Sequence, residues 1–332
     1  MDRYSRCLRL VSLLIVSLIS PIGFAADSPA QVIWPDVHAG NVVFSLMPGW
    51  KVADVQKSGQ ASGMTTIVPE KEPPGGCAMV ITPAFIDDMG DDVKLALKAA
   101  RELAPPPYRP FGTGEVSLLE GTSGKGWHFL DLYGLAGDPR QKRATHVLVA
   151  NLGKLRVVVT GFGSSSIETN LYAAAPEPIP SCLAGQNNLM WVALQHTLRL
   201  PGFEADSPEL GRQLVGEWSR GGKYSFSYTF GANGEYAWGA AHGMLLKSLH
   251  PGQVEEHMTT IANEGKYEVH GDRWTKSCPG PCGGPASAMF SIVRQVNPKA
   301  SGYGTWTLRV IDLGSQAIPH RVYFTDDYSR GR

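Results

Sequence analysis

Tyr224-Ser-Phe-Ser-Tyr-Thr-Phe-Gly-Ala-Asn-Gly-Glu-Tyr-Ala-Trp238 is the stretch whose reading decides the fold class of the second half of this chain. Tyr224, Phe226, Tyr228 and Phe230 alternate with Ser or Thr, which places four aromatic rings on one face of a strand. Asn233-Gly234 tolerates the positive φ angles of a tight hairpin turn, so the chain returns through Glu235 to Trp238. Further strand-like runs follow at 253–262, 266–270, 273–277, 289–296, 305–311 and 321–324, punctuated by Gly265, Gly271-Asp272 and Gly302. No helical period interrupts them. Seven or eight meandering strands predict an up-and-down β-barrel over 209–328, because closure removes exposed sheet edges.

The first half reads differently. Strand-like runs occur at 31–34, 41–46, 64–68, 78–82, 115–119, 127–133, 146–151 and 155–160, the last two forming a hairpin around Gly153. Asp91 or Asp92 can cap a helix with Val93, Ala96, Leu97, Ala100 and Leu103 on one face, stopped by Pro105-Pro106-Pro107. A second apolar face comprises Leu189, Val192, Ala193, His196 and Leu200. On it His196 reads as a half-buried, hydrogen-bonded core residue. The Pro-bounded polar segment 201–208 marks a boundary between a domain at 31–200 and one at 209–328.

With 332 residues, 43% of them hydrophobic and 18% charged, the chain can bury a core and is not a disordered one. Its 38 Gly and 24 Pro favour turns and strands over helical bundles. Thirty basic residues balance thirty acidic ones, so the net charge gives no footprint for nucleic acid. Arg3, Arg6 and Arg9 precede an apolar run from Leu10 to Phe24 that ends in Gly23-Phe24-Ala25. The run is shorter than the ~20 residues a spanning helix needs, so residues 1–25 are predicted to be a cleaved secretory signal. No lipobox cysteine follows it. The expected location is the periplasm or the exterior, with no stable membrane insertion after cleavage.

Beyond the signal lie Cys77, Cys182, Cys278 and Cys282. An even number in an exported chain predicts disulfides, and keeping each bridge within one domain favours Cys77–Cys182 and Cys278–Cys282. The Cys278-Pro-Gly-Pro-Cys282 spacing is one residue too long for a thioredoxin-type redox pair. A zinc site there would need two ligands from His242, His250, His257 or His270, and no His-x-His or His-x-x-His pair exists, so no metal is expected.

Catalytic signatures are missing from the sequence: there is no Gly-x-Ser-x-Gly elbow, Ser-x-x-Lys, His-Glu-x-x-His or P-loop. Gly161-Phe-Gly163 lacks the third glycine and the acidic residue of a dinucleotide site and reads as a turn. Asp87, Asp88, Asp91 and Asp92 suit the positive end of a helix dipole as well as they would suit a hard cation. No catalytic residue and no cofactor are expected. The candidate ligand-binding residues are the aromatics of the second half, Phe226, Tyr228, Tyr236, Trp238, Trp274 and Trp306, which would otherwise form a solid core.

Residues 38–200 resemble the PsbP-like α/β/α-sandwich family, which includes periplasmic DcrB-type proteins. The resemblance is carried by Phe44-Ser-Leu-Met-Pro48-Gly49-Trp50, the helix from Asp91 to Leu103, and a long hairpin before a last helix ending at His196-Thr-Leu198. It implies an assembly or accessory role without a shared catalytic set. Residues 209–328 resemble a bacterial lipocalin-like domain through Gly216-Glu-Trp218, Phe230-Gly-Ala-Asn233-Gly234-Glu-Tyr236 and Gly265-Lys-Tyr through Gly271-Asp-Arg-Trp274. The expected fold class is α+β, a sandwich followed by a barrel. The expected function is that of an exported non-enzymatic binding or accessory protein of the cell envelope, with an unknown protein partner. The alternatives are a carrier of one small hydrophobic ligand in the barrel, and an uncatalogued periplasmic hydrolase.

Overall fold

The described residues fold as strands, several of them joined by tight turns, with one amphipathic helix laid on one face of the sheet and one largely apolar helix on the other. The computed structural model describes residues 34–57, 62–71, 76–88, 90–106, 117–136, 143–164, 189–203, 208–220, 225–241, 260–277, 285–300, 302–315 and 325–330. In order these form β1 (Asp36–Ala39), β2 (Val42–Ser45), β3 (Trp50–Val55), β4 (Thr65–Pro69), β5 (Cys77–Ile81), β6 (Phe85–Ile86), α1 (Asp92–Leu103), β7 (Ser117–Thr122), β8 (His128–Ala136), β9 (Arg143–Leu152) and β10 (Leu155–Ser164). Then come α2 (Leu189–Thr197), α3 (Pro208–Leu214), β11 (Gly216–Arg220), β12 (Ser225–Phe230), β13 (Glu235–Ala241), β14 (Thr260–His270), β15 (Arg273–Lys276), β16 (Ala286–Gln295), β17 (Trp306–Ser315) and β18 (Thr325–Arg330).

The expectation of an α/β sandwich followed by a self-contained barrel does not hold. One antiparallel sheet of sixteen strands runs through both halves, and the only other sheet among the described residues is the β1–β2 pair. β16 is the junction. Along one edge it pairs with β17, and it divides the other edge between β15, over residues 286–289, and β7, over residues 292–295. The physical reason is edge satisfaction. β15 has only four residues, too few to cover β16, and β7 has an open edge of its own. Pairing the two open stretches satisfies both rows of backbone N–H and C=O groups. Gln295 extends the seam by accepting from the Leu118 N–H at 3.0 Å through Oε1, and the Val296 N–H donates to the Leu118 carbonyl at 2.8 Å.

Among the described residues there are three helices, of 12, 9 and 7 residues. The Asp91 carboxylate caps α1 by accepting from the Lys94 N–H at 3.0 Å, satisfying one of the orphan donors of the first turn. The buried face of α1 is Leu95, Ala96, Ala99 and Ala100, rotated from the expected one, and it packs on β8, β9 and β10. Val93, expected inside, is exposed. α2 is buried on every side from Met190 to Leu198, its polar Gln195 and Thr197 engaged by hydrogen bonds to Asp131 and to the Ala193 carbonyl. It lies against the opposite sheet face, in a core that mixes first-half residues such as Phe44 and Ile81 with Met289, Val293, Ile311 and Leu313. α3 and the strands β1 and β3 were not anticipated from the sequence. The predicted runs at 31–33, 253–259 and 321–324 lie outside the described residues.

Gly124 belongs to the turn between β7 and β8 and meets the turn between β14 and β15. A Cβ at Gly124 would lie 2.0 Å from the Asp272 backbone nitrogen and 2.3 Å from the Gly271 carbonyl carbon. Only glycine permits two backbones to approach so closely.

Candidate functional site

Register places the site. On one sheet face, Trp306, Arg294, Glu120 and Leu130 stand side by side across β17, β16, β7 and β8. Two residues along, Leu308, Ile292, Thr122, His128 and Asn151 form the next row on the same face, ending on β9. These rows floor a cleft of about 620 Å³, walled by Gly90–Val93 at the start of α1 and by Gln213 of α3. The floor spans the seam, so neither half has this cleft without the other.

The polar groups of the cleft differ in how far they are already engaged. Asp92 accepts from Arg156 Nε at 2.7 Å and from Asn151 Nδ2 at 2.8 Å, which fixes the start of α1 over β9 and β10. Hydrogen bonds from the Lys94 backbone and ammonium hold the Asp91 carboxyl below its ordinary pKa. His128 Nδ1 shares a hydrogen bond with Thr122 Oγ1 at 3.1 Å. The Arg294 guanidinium lies 5.6 Å from the Trp306 ring centre, a cation–π arrangement, and among the described residues it has no carboxylate partner.

A second polar cluster lies on the opposite sheet face. Asp131 of β8 accepts from Trp191 Nε1 at 3.1 Å and from Gln195 Nε2, both on α2, and Arg309 of β17 stands 3.5 Å away. Neither side chain has any exposure. His146 of β9 meets Trp191 edge-on at 5.8 Å; burial, with the Arg309 charge adding to it, lowers its pKa to about 3, so it is neutral. His196 Nδ1 faces Asp272 Oδ2 at 3.5 Å, and the ring is fully buried. This cluster is sealed from solvent and joins the halves as structure.

The aromatic residues anticipated as ligand contacts separate. Tyr228, Tyr236 and Trp274 enter a buried cluster with Phe230, Phe290 and Trp218, the Trp274 ring centre standing 5.0 Å from those of Phe230 and Phe290. Lys276 Nζ lies 5.1 Å from the Tyr228 ring centre and 3.2 Å from its hydroxyl. Burial raises the Tyr236 pKa, and its hydroxyl donates to the Ser277 carbonyl. Trp238 and Trp306 are partly buried against this cluster, and Trp306 alone of the six lines the cleft. Phe226 lies on β12, and its side chain is outside the described residues. Cys77 is buried on β5, whereas Cys182, Cys278 and Cys282 lie outside the described residues. The described residues contain no group of three or more His, Cys, Asp or Glu placed to hold a metal ion, and no helix long and apolar enough to cross a membrane.

Sequence reasoning missed Glu120, His128, Gln213 and Arg294, because a cleft floor depends on which strands pair. A signal for the buried pair did exist. Asp131 is the one acidic residue in the apolar run 127–133, and Arg309 the one charged residue in 305–311. An isolated charge inside an apolar strand needs a buried partner of opposite sign. No protein-family model matches this chain, and no curated protein matches it.

Proposed function

We propose that the chain is an exported, non-enzymatic binding protein of the cell envelope, and that its ligand sits in the cleft between α1, α3 and the β7–β16 seam. The observation that carries this reading is the cleft itself. About 620 Å³ is within the usual range of small-molecule sites, and Trp306 and Arg294 offer it a preformed aromatic and cationic surface. The lining sets convergent polar groups, Asp91, Asp92, Glu120, His128, Asn151 and Arg294, beside apolar ones such as Val93, Ile292 and Trp306, which suits a ligand with charged ends and some apolar surface. Native mass spectrometry of protein purified from the exported fraction tests it. A retained small molecule, lost on Trp306→Ala, is the expected result; turnover of that molecule by the wild-type protein would replace binding with hydrolysis.

Export and the disulfides belong to the same proposal. A mature chain starting at Ala26, read by N-terminal sequencing, supports the signal at 1–25. Removing three Arg and one Asp from thirty and thirty leaves 27 basic and 29 acidic residues, close to neutral. Unreduced peptide mapping should recover Cys77 with Cys182 and Cys278 with Cys282; any bridge crossing those pairs overturns the assignment.

A second reading, a small, largely hydrophobic ligand whose one polar atom accepts a hydrogen bond among the second-half aromatics, has one observation in its favour. The buried Trp274 indole N–H has no hydrogen-bond acceptor among the described residues. Retention of an apolar molecule that survives Trp306→Ala would favour it.

A further inference from the structure

Glu120 and Arg294 are directly opposite each other in the β7–β16 register, with Cβ atoms about 5 Å apart as in any such pair. Opposite charges so placed ordinarily neutralise each other across the strands. Among the described residues these two make no ion pair, and the Glu120 carboxylate has no hydrogen-bond partner either. Arg294 turns instead to the Trp306 ring, at 5.6 Å from its centre. The cleft floor thus presents an available carboxylate beside an available guanidinium, with an aromatic face behind the cation.

From this juxtaposition we propose that the cleft binds a small zwitterion of about dipeptide size, its carboxylate on Arg294 and its ammonium on Glu120. The inference rests on the cleft reading above and specifies the ligand class. A guanidinium donates to a carboxylate in a forked, two-bond geometry, and its place over the Trp306 ring restricts the rotation that such binding would otherwise have to freeze out. Asp91 and Asp92 do not compete for the ligand's ammonium to the same degree, since each already accepts bonds from its own neighbours. A ligand with one charge would leave either Glu120 or Arg294 uncompensated in the occupied cleft. A free single amino acid fills less of the cleft.

The test is calorimetric titration of the full exported chain with alanyl-tyrosine, its N-acetyl form and its C-terminal amide. The expected result is binding of the free dipeptide, with each blocked form at least tenfold weaker. Arg294→Gln should abolish the difference between free and amidated dipeptide, and Glu120→Gln the difference between free and acetylated dipeptide. Equal affinity for the three forms, or no binding at millimolar dipeptide, overturns the zwitterion; neither comparison depends on a variant folding. If the dipeptide fails but another retained molecule is lost on Trp306→Ala, the zwitterion falls and the cleft reading stands. A protein that retains nothing and binds no dipeptide removes both.

Discussion

Arg309 and Asp131 lie 178 residues apart in sequence and meet at 3.5 Å with neither side chain exposed. The pair ties β17 of the second half to β8 of the first, beneath α2. Charges moved so far from water are held by their partners, and those of Asp131 include Arg309, Trp191 and Gln195. Removing one charge strands the other. Asp131→Ala should therefore cost about 3–5 kcal/mol in urea unfolding. Asp131→Leu with Arg309→Met should cost less than the sum of the single changes, because no unpaired charge remains. Additive losses would show that the two charges do not depend on each other.

His146 gives a pH dependence whose sign is fixed by its burial. Its pKa falls from 6.5 in the unfolded chain to about 3 in the folded one, so between those values the unfolded state binds the extra proton. The stability associated with the neutral ring is fully present above pH 6.5 and is lost progressively as pH falls toward 3. At pH 5 the loss relative to pH 7 should be about 2 kcal/mol, read from urea midpoints. His146→Gln should flatten the curve between pH 5 and 6.5. An unchanged slope in that variant would assign the effect to another group.

Gly124 tests the contact between turns. A methyl group there meets the backbone of Gly271 and Asp272, neither of which is a flexible chain end. Gly124→Ala should cost about 1–3 kcal/mol or more and lower the thermal midpoint. Gly153→Ala serves as a comparison, since it has an unfavourable φ of +65° but nothing within 4 Å of the added methyl. A loss at Gly124 no larger than that at Gly153 would show that the two turns part to admit the methyl group.

Limited proteolysis within 201–208, the proposed domain boundary, should give two fragments that still co-elute in native gel filtration. The β7–β16 pairing, the Asp131–Arg309 pair and the shared core all cross that boundary. Fragments that separate without denaturant would show that the seam contributes little to cohesion.

Short-range patterns reported themselves well. The aromatic alternation before Asn233-Gly234, the Gly153 hairpin and the carboxylate that starts α1 all appear where local chemistry puts them, at β12–β13, β9–β10 and Asp91. Each depends on neighbours a few residues away: a turn needs a residue that accepts positive φ, and a helix start needs an acceptor for its free N–H groups. The α3 helix escaped because seven residues with two buried leucines, Leu210 and Leu214, are too few to show a period.

By itself the sequence determined that this is a strand-rich chain and where the Gly153 and Asn233-Gly234 hairpins turn, but not which face of α1 leaves water, since Val93 is exposed. It did not determine that the two halves share a sheet. That choice lies with hydrogen-bonding edges, and an edge carries no side-chain label: β7 and β16 read as ordinary strands, yet Glu120 becomes a neighbour of Arg294 only when their open edges meet. The cleft and the buried Asp131–Arg309 pair follow from that meeting, because both are assembled from residues more than 170 positions apart. Local chemistry fixes the elements; the need to satisfy the remaining backbone groups fixes which of them become neighbours, and only the tertiary structure records the outcome.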